Sequence, residues 1–196
     1  MGNRTVLIFS NCCEFEANNC LPITWLALFR PQDFLIETRH EDGEEYEVAL
    51  YRTKRDTALK QVNQVVNSLK GRTPAWAFLR PIEILKDELT FCSSAEIIEL
   101  NATQFWAIDE SFQLKITNAA TTFQEMVSNF IGNSEHDIPL VTQLANEYSM
   151  GTISSVTEID SEERMFILIG TYWGDPEREK LYSFDYFGEK YWRSES

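Results

Sequence analysis

The stretch between Lys115 and Arg164 contains no lysine or arginine, although eight acidic residues fall within it. The whole chain has 31 acidic and 17 basic residues, and residues 99–196 carry most of the excess, with 17 acids against 6 bases. A surface of this charge repels nucleic acid and anionic lipid and attracts cationic partners. We therefore expect no nucleic-acid partner, and either an acidic contact face or charge that only keeps the protein soluble.

Long apolar runs are also missing. Residues 21–29 form an almost unbroken apolar stretch, but its nine residues are far fewer than the roughly 20 that a membrane-spanning helix needs. Residues 1–9 lack the extended apolar segment and the small-residue cleavage site of a signal peptide. We expect no membrane segment and a cytoplasmic protein.

The common signatures of enzymes are absent. There is no phosphate-binding glycine loop, no G-x-S-x-G motif and no H-E-x-x-H motif. His40 and His136 are the only histidines, and each stands in a charged segment that is typical of the solvated surface. A thiol hydrolase that pairs Cys12 or Cys13 with one of them is an alternative, as is carboxylate chemistry, which depends on geometry rather than on abundance. We predict no catalytic residue and no cofactor.

Cysteine is scarce and unevenly placed. The second half of the chain has none, and the first half has four: Cys12, Cys13, Cys20 and Cys92. A secreted disulfide framework usually spreads its cysteines along the chain, and a metal site usually has paired spacings with histidine nearby. We therefore predict structural or incidental thiols, and no metal site.

The hydrophobic pattern predicts a single α+β domain over residues 1–196, with several helices and a C-terminal antiparallel β-meander. Strands are expected at residues 4–10, in a hairpin around Asp42 and Gly43, and near 95–100, with a loop at 11–19. Helices are expected at 18–30, 54–70, 82–91, 112–130 and 139–148. The meander is expected over 152–173, with a turn at 160–162, and again over 180–187. Residues 133–137 are a possible soft boundary, and Gly170 marks a bulge or a close backbone approach.

The candidate partner-binding residues are the acidic and aromatic side chains of the second half. Acidic residues at turns suit a basic partner, whereas tyrosine and tryptophan are favoured as interface anchors. The candidates are Glu135, Asp137, Glu147, Glu158, Asp160, Glu162, Glu163, Tyr172 and Trp173.

The front of the chain, "MGNRTVLIFSN" followed by "ANNCLPITWLALF", resembles the start of a poorly characterised group of bacterial cytoplasmic proteins. Some of that group look like immunity proteins of polymorphic, contact-delivered toxin systems. The resemblance covers about the first 30 residues, which we expect to form core. It implies a protein that binds a cognate toxin in the cytoplasm. The acidic charge of the chain separately favours a toxin with a basic active-site cleft, which this protein would occlude. The alternatives are an adaptor or chaperone for a secreted effector, and an enzyme without a recognisable signature.

Overall fold

The computed structural model describes residues 3–41, 43–72, 78–158 and 167–182. They form an α+β fold around one antiparallel sheet. The strands are β1 (Arg4–Phe9), β2 (Cys13–Asn18), β3 (Phe34–Glu41), β4 (Glu44–Lys54), β5 (Ile97–Asn101) and β6 (Thr171–Trp173). Their order across the sheet is β3-β4-β5-β1-β2-β6, so the short β6 forms one edge.

Helices cover one face of this sheet. They are α1 (Arg55–Leu69), α2 (Arg80–Phe91), α3 (Thr103–Trp106), α4 (Glu110–Ser128), α5 (Ser134–Glu147) and α6 (Pro176–Glu179), and three 3-10 helices span Ile23–Leu28, Pro31–Asp33 and Lys180–Tyr182. Among the described residues, no helix has the length and apolar character that crossing a bilayer requires.

Alternation along the strands decides which sheet face is buried. In β1 and β2, Leu7, Phe9 and Phe15 point into the core, while Glu14 and Glu16 stay half-exposed on the opposite face. The buried face meets the helices through apolar side chains and a few polar bonds. The Tyr51 hydroxyl of β4, for example, donates to the Ile116 carbonyl of α4 over 2.7 Å.

The apolar stretch at residues 21–29 lies at the centre of the core. Within it, Ile23–Leu28 forms a 3-10 helix whose six side chains are all buried. The predicted helix is therefore present and buried, as expected. The helix begins after Pro22, however, and not at a capping Asn18 or Asn19.

Several other predictions from periodicity are confirmed. The hairpin of β3 and β4 turns at Gly43, which has a positive φ of 85°. Helices α1, α2 and α4 and strand β5 lie where the apolar spacing placed them. Helix α4 begins at Glu110, and the preceding residue Asp109 is its N-cap: the Asp109 carboxylate accepts hydrogen bonds from the backbone N–H groups of Ser111 and Phe112.

The predicted C-terminal β-meander is wrong. Most strands of the sheet come from the first half of the chain, and the described residues of 152–173 contribute only β6. The apolar residues 167–169 lie in a buried turn: the Trp25 indole N–H donates to the Ile169 carbonyl over 3.1 Å, and the Thr24 hydroxyl donates to the Leu168 carbonyl. A buried turn is as apolar as a strand, which explains the error. The predicted turn at 160–162 lies outside the described residues.

Two smaller predictions are also wrong. Residues 11–19 were expected to be a loop, but they contain β2, whose Cys13, Phe15 and Ala17 alternate with glutamates. Helix α5 begins at Ser134, ahead of Pro139, and the side chain of Asn133 caps it by accepting from the Glu135 N–H. The possible boundary at 133–137 is therefore the first turn of this helix.

Candidate functional site

A groove of about 190 Å³ runs between helices α4 and α5. Each helix contributes one glutamate to it, Glu125 from α4 and Glu147 from α5. Met126 and Leu144 lie at its base, and both are almost completely buried. The groove therefore combines an apolar floor with a carboxylate from each helix.

This combination suits a long cationic side chain. The methylene stem of a lysine or arginine can lie on an apolar floor while its charged head stays at the polar rim. Hydrogen bonds between a guanidinium or ammonium group and a carboxylate are short and stronger than neutral ones. The amides of Asn129 and Gln143, which also line the groove, add polar groups at the same rim.

The acidic groups of the helix pair differ from those on the open face of the sheet. On the sheet, the glutamates are matched by arginines at short distances: Arg4–Glu16 at 2.9 Å, Arg39–Glu37 at 2.5 Å and Arg52–Glu99 at 2.8 Å. Within the described residues, neither Glu125 nor Glu147 has a basic side chain within 4 Å. Glu147 instead accepts a hydrogen bond of 2.9 Å from the side-chain amide of Gln143.

Four of the candidate residues lie at the surface. Glu135 is exposed at the start of α5, and Glu147 is half-exposed in the groove. Glu158 is exposed and accepts a hydrogen bond of 2.8 Å from the Ser154 hydroxyl. Trp173 is 53% exposed on the edge strand β6. Asp160, Glu162 and Glu163 lie outside the described residues.

Asp137 is a correction, because its side chain is completely buried. Its carboxylate accepts hydrogen bonds from the backbone N–H groups of Ile131 (3.1 Å) and Gly132 (2.9 Å) and pairs with His136 Nδ1 at 2.9 Å. Burial acts to raise the pKa of Asp137, but these hydrogen bonds outweigh burial and hold the pKa below its usual value. Asp137 therefore fixes the loop ahead of α5 and is not presented to a partner.

Tyr172 is the second correction, since it is only 2% exposed. Its hydroxyl donates to Glu88 Oε1 over 3.1 Å. Burial, followed by the negative charge of Glu88, raises the pKa of Tyr172. Of the two aromatic residues expected to contact a partner at this strand, only Trp173 is exposed.

Glu88 is the centre of a buried polar cluster that the sequence did not reveal. This side chain of α2 is fully buried and receives Arg178 through Nε (2.8 Å) and Nη2 (2.5 Å), together with the hydroxyl of Tyr182. The guanidinium of Arg178 also lies over the Phe91 ring, 4.1 Å from its centroid. No local pattern marks Glu88, since one glutamate on an amphipathic helix resembles any other.

Three of the cysteines adjoin this cluster, and the prediction of thiols is wrong for Cys12 and Cys92. Cys12 and Cys92 form a disulfide across 80 positions of sequence, with their Cα atoms 5.8 Å apart. Cys13 is a buried thiol with Sγ 3.6 Å from Cys92 Sγ and 3.7 Å from Glu88 Oε1. Burial, and then the charge of Glu88, raise the pKa of Cys13, and burial raises the pKa of Cys20 to about 12.

The histidines lie elsewhere in the fold. His40 is on the exposed edge strand β3, opposite Glu45, and His136 contacts Asp137 at the start of α5. In the part of the chain that the structure describes, neither histidine is hydrogen-bonded to a cysteine.

Comparisons with protein-family models, with curated proteins and with solved structures give no match for this chain.

Proposed function

We propose that this protein is an acidic immunity protein, which acts in the cytoplasm by binding a cognate toxin and covering the toxin's basic active-site cleft. The observation that carries the proposal is the groove between α4 and α5, where Glu125 and Glu147 flank an apolar floor. A basic side chain of the toxin cleft would pair with a carboxylate in this groove, and its methylene stem would pack on the apolar floor.

The charge of the surrounding surface supports the same partner. Helix α5 and the described loop that follows it belong to the stretch without lysine or arginine, so Glu135, Glu147 and Glu158 add negative charge to this part of the surface. Such a potential steers a cationic partner and raises the association rate. Exposed apolar side chains at Ile131 and Met150 border the same part of the chain and could be covered in a complex.

The resemblance of the first 30 residues suggests the class of protein to which this acidic surface belongs. Its most distinctive residues, Trp25 and Leu26, are completely buried. They account for the fold rather than for recognition. The resemblance therefore supports the immunity class, while the groove supplies the contact surface.

A co-purification experiment with matched variants tests the proposal. The tagged full-length chain is expressed in its own host beside two double variants, Glu125→Lys/Glu147→Lys in the groove and Glu44→Lys/Glu45→Lys on the β3–β4 hairpin. Both variants change the net charge by the same amount. After a moderate salt wash, we expect the wild type and the hairpin variant to retain one stoichiometric basic protein, encoded by a neighbouring gene, and the groove variant to lose it.

A growth assay then distinguishes an immunity protein, which inhibits the partner, from an adaptor or chaperone, which does not. Expression of the captured partner alone should stop growth, and co-expression of the wild type, but not of the groove variant, should restore it. Retention of the partner without protection would instead indicate an adaptor or chaperone. The absence of any stoichiometric partner, or equal retention by the groove variant, would count against the proposal.

A further inference from the structure

Three sulfur atoms from distant parts of the chain meet beside Glu88. Cys12 lies in the turn between β1 and β2, Cys13 is the first residue of β2, and Cys92 follows the last residue of α2. All three Sγ atoms lie within 4.8 Å of one another. Cys13 and Cys92 are buried, whereas Cys12 is half-exposed at the edge of the group.

Glu88 adds an oxygen at similar distances. Its Oε1 lies 3.7 Å from Cys13 Sγ and 3.9 Å from Cys92 Sγ, and the two sulfurs are 3.6 Å apart. In a tetrahedral zinc site with Zn–S distances of about 2.3 Å and Zn–O distances of about 2.0–2.2 Å, neighbouring ligand atoms are roughly 3.5–3.8 Å apart. The triangle formed by Cys13, Cys92 and Glu88 is therefore close to one face of such a site.

We propose that the reduced protein binds one Zn²⁺ ion through the thiolates of Cys12, Cys13 and Cys92, with a carboxylate oxygen of Glu88 as the fourth ligand. Thiolates select zinc over magnesium or calcium, which prefer oxygen ligands. The Arg178 guanidinium stays on Glu88 Oε2, the oxygen that does not face the sulfurs, and offsets part of the negative charge of the ligands.

The disulfide and the zinc site are alternative states of the same cysteines. A dithiol reductant opens the bond when its thiolate attacks the half-exposed Cys12 Sγ and releases Cys92 as a thiolate. The reductant is then joined to Cys12 as a mixed disulfide. Its second thiol attacks its own first sulfur, which releases Cys12 as a thiolate and leaves the reductant as a cyclic disulfide. Zinc displaces the protons of the three thiols. A reducing compartment such as the cytoplasm keeps the bond open, so the zinc state belongs there.

The experiment uses the full-length chain and a matched set of cysteine variants. Each protein is reduced with a dithiol, desalted without oxygen and given one equivalent of Zn²⁺ or Co²⁺. Bound metal is measured by native mass spectrometry, and the sulfur-to-cobalt charge-transfer absorption reports the number of thiolate ligands. Cys20→Ser is the control, since Cys20 is also buried but lies outside the group, where its backbone forms an isolated antiparallel β-bridge with Ser149.

We expect the wild type and Cys20→Ser to hold one metal ion with a three-thiolate spectrum. The variants Cys12→Ser, Cys13→Ser and Cys92→Ser should each lose at least ~10-fold in affinity, the lower end of what even outer-shell changes produce. Circular dichroism checks that each variant is folded, and the near-isosteric Cys13→Ser, which leaves the Cys12–Cys92 pair intact, carries the test.

Three results would overturn the proposal. They are a reduced wild type that retains no stoichiometric metal, a Cys13→Ser variant with unchanged affinity, and an oxidised wild type that binds zinc as well as the reduced one. Unchanged affinity in Glu88→Gln would remove Glu88 as the fourth ligand. None of these measurements involves the groove between α4 and α5, so the zinc site and the proposed partner stand or fall separately.

Discussion

Arg178 Nη2 donates to Glu88 Oε2 over 2.5 Å, across 90 positions of sequence, and the Glu88 side chain is completely buried. The pair joins α6 to α2. Together with the hydroxyls of Tyr172 and Tyr182, which bond to the same carboxylate, it fastens residues 171–182 to the core. A buried carboxylate that loses its cation keeps its desolvation penalty, so this contact is a sensitive point of the fold.

Replacing Arg178 by methionine tests that contact. The Arg178→Met variant keeps the length of the apolar stem but leaves Glu88 without a cation, and we expect the free energy of unfolding to fall by about 3–5 kcal/mol. Urea denaturation gives this value. The control is Lys60→Met, because Lys60 is an exposed residue of α1, where a substitution has little effect on stability. Equal losses in the two variants would show that the buried pair has no special role.

Gly170 offers a second test. It has φ 72°, and a Cβ atom there would lie 2.6 Å from Trp25 Cζ2 and 2.8 Å from the Glu16 carbonyl oxygen, which confirms the close approach predicted from the sequence. Two separate effects should therefore lower the free energy of unfolding of Gly170→Ala. A left-handed conformation costs a non-glycine residue about 1–2 kcal/mol, and forcing an atom into a packed core adds roughly 1–3 kcal/mol.

Gly43→Ala isolates the first of these two terms. Gly43 has φ 85°, but nothing lies within 4 Å of its added Cβ. Thermal or urea unfolding should therefore show a clearly larger loss of stability for Gly170→Ala than for Gly43→Ala. A loss of the same size in both would mean that the contact with Trp25 relaxes without penalty.

The parts of the fold that follow from local pattern were predictable. The apolar face of α1, the cap at Asp109 and the turn at Gly43 each depend on neighbouring residues. The strand β2 could also have been found, because Cys13, Phe15 and Ala17 alternate with glutamates, but the asparagines around it suggested a loop.

What could not be predicted depends on distant residues. Residues 167–169 are apolar because they form a buried turn, whose carbonyl groups accept hydrogen bonds from Thr24 and Trp25, and not because they form a strand. Cys12 meets Cys92 only because the β1–β2 turn and the end of α2 come together. The groove was not predicted: Glu125 and Glu147 stand in the stretch without basic residues, but the pairing of α4 with α5 that brings them together comes from packing.

Asp137 provides a test that depends on pH. The Asp137→Asn variant places an amide group against a backbone N–H of Ile131 or Gly132, which leaves a buried donor without an acceptor and should cost about 1–3 kcal/mol at neutral pH. Because the pKa of Asp137 is lower in the folded protein, its carboxylate contributes stability fully above the unfolded value of about 3.9 and loses that contribution as the pH falls through the lowered folded value.

Between pH 7 and about pH 3, the difference in stability between the wild type and Asp137→Asn should therefore narrow once the pH falls below about pH 4. Urea unfolding across this range measures it. Glu135→Gln is the control on the same turn, since Glu135 is exposed, and its difference from the wild type should remain small throughout. A gap for Asp137→Asn that does not change with pH would contradict the ionised role of this carboxylate.

The proposed partner surface makes a kinetic prediction. Electrostatic steering raises association rates toward ~10⁸–10⁹ M⁻¹s⁻¹ at low salt, and the screening length falls from about 10 Å at 0.1 M to about 3 Å at 1 M ionic strength. We therefore expect Glu125→Lys/Glu147→Lys to slow association with the captured toxin at least ~10-fold at low salt, with a smaller ratio at high salt. Stopped-flow mixing over a salt series measures both quantities. The hairpin variant Glu44→Lys/Glu45→Lys has the same net charge, so equal slowing in the two variants would assign the effect to overall charge and not to the groove.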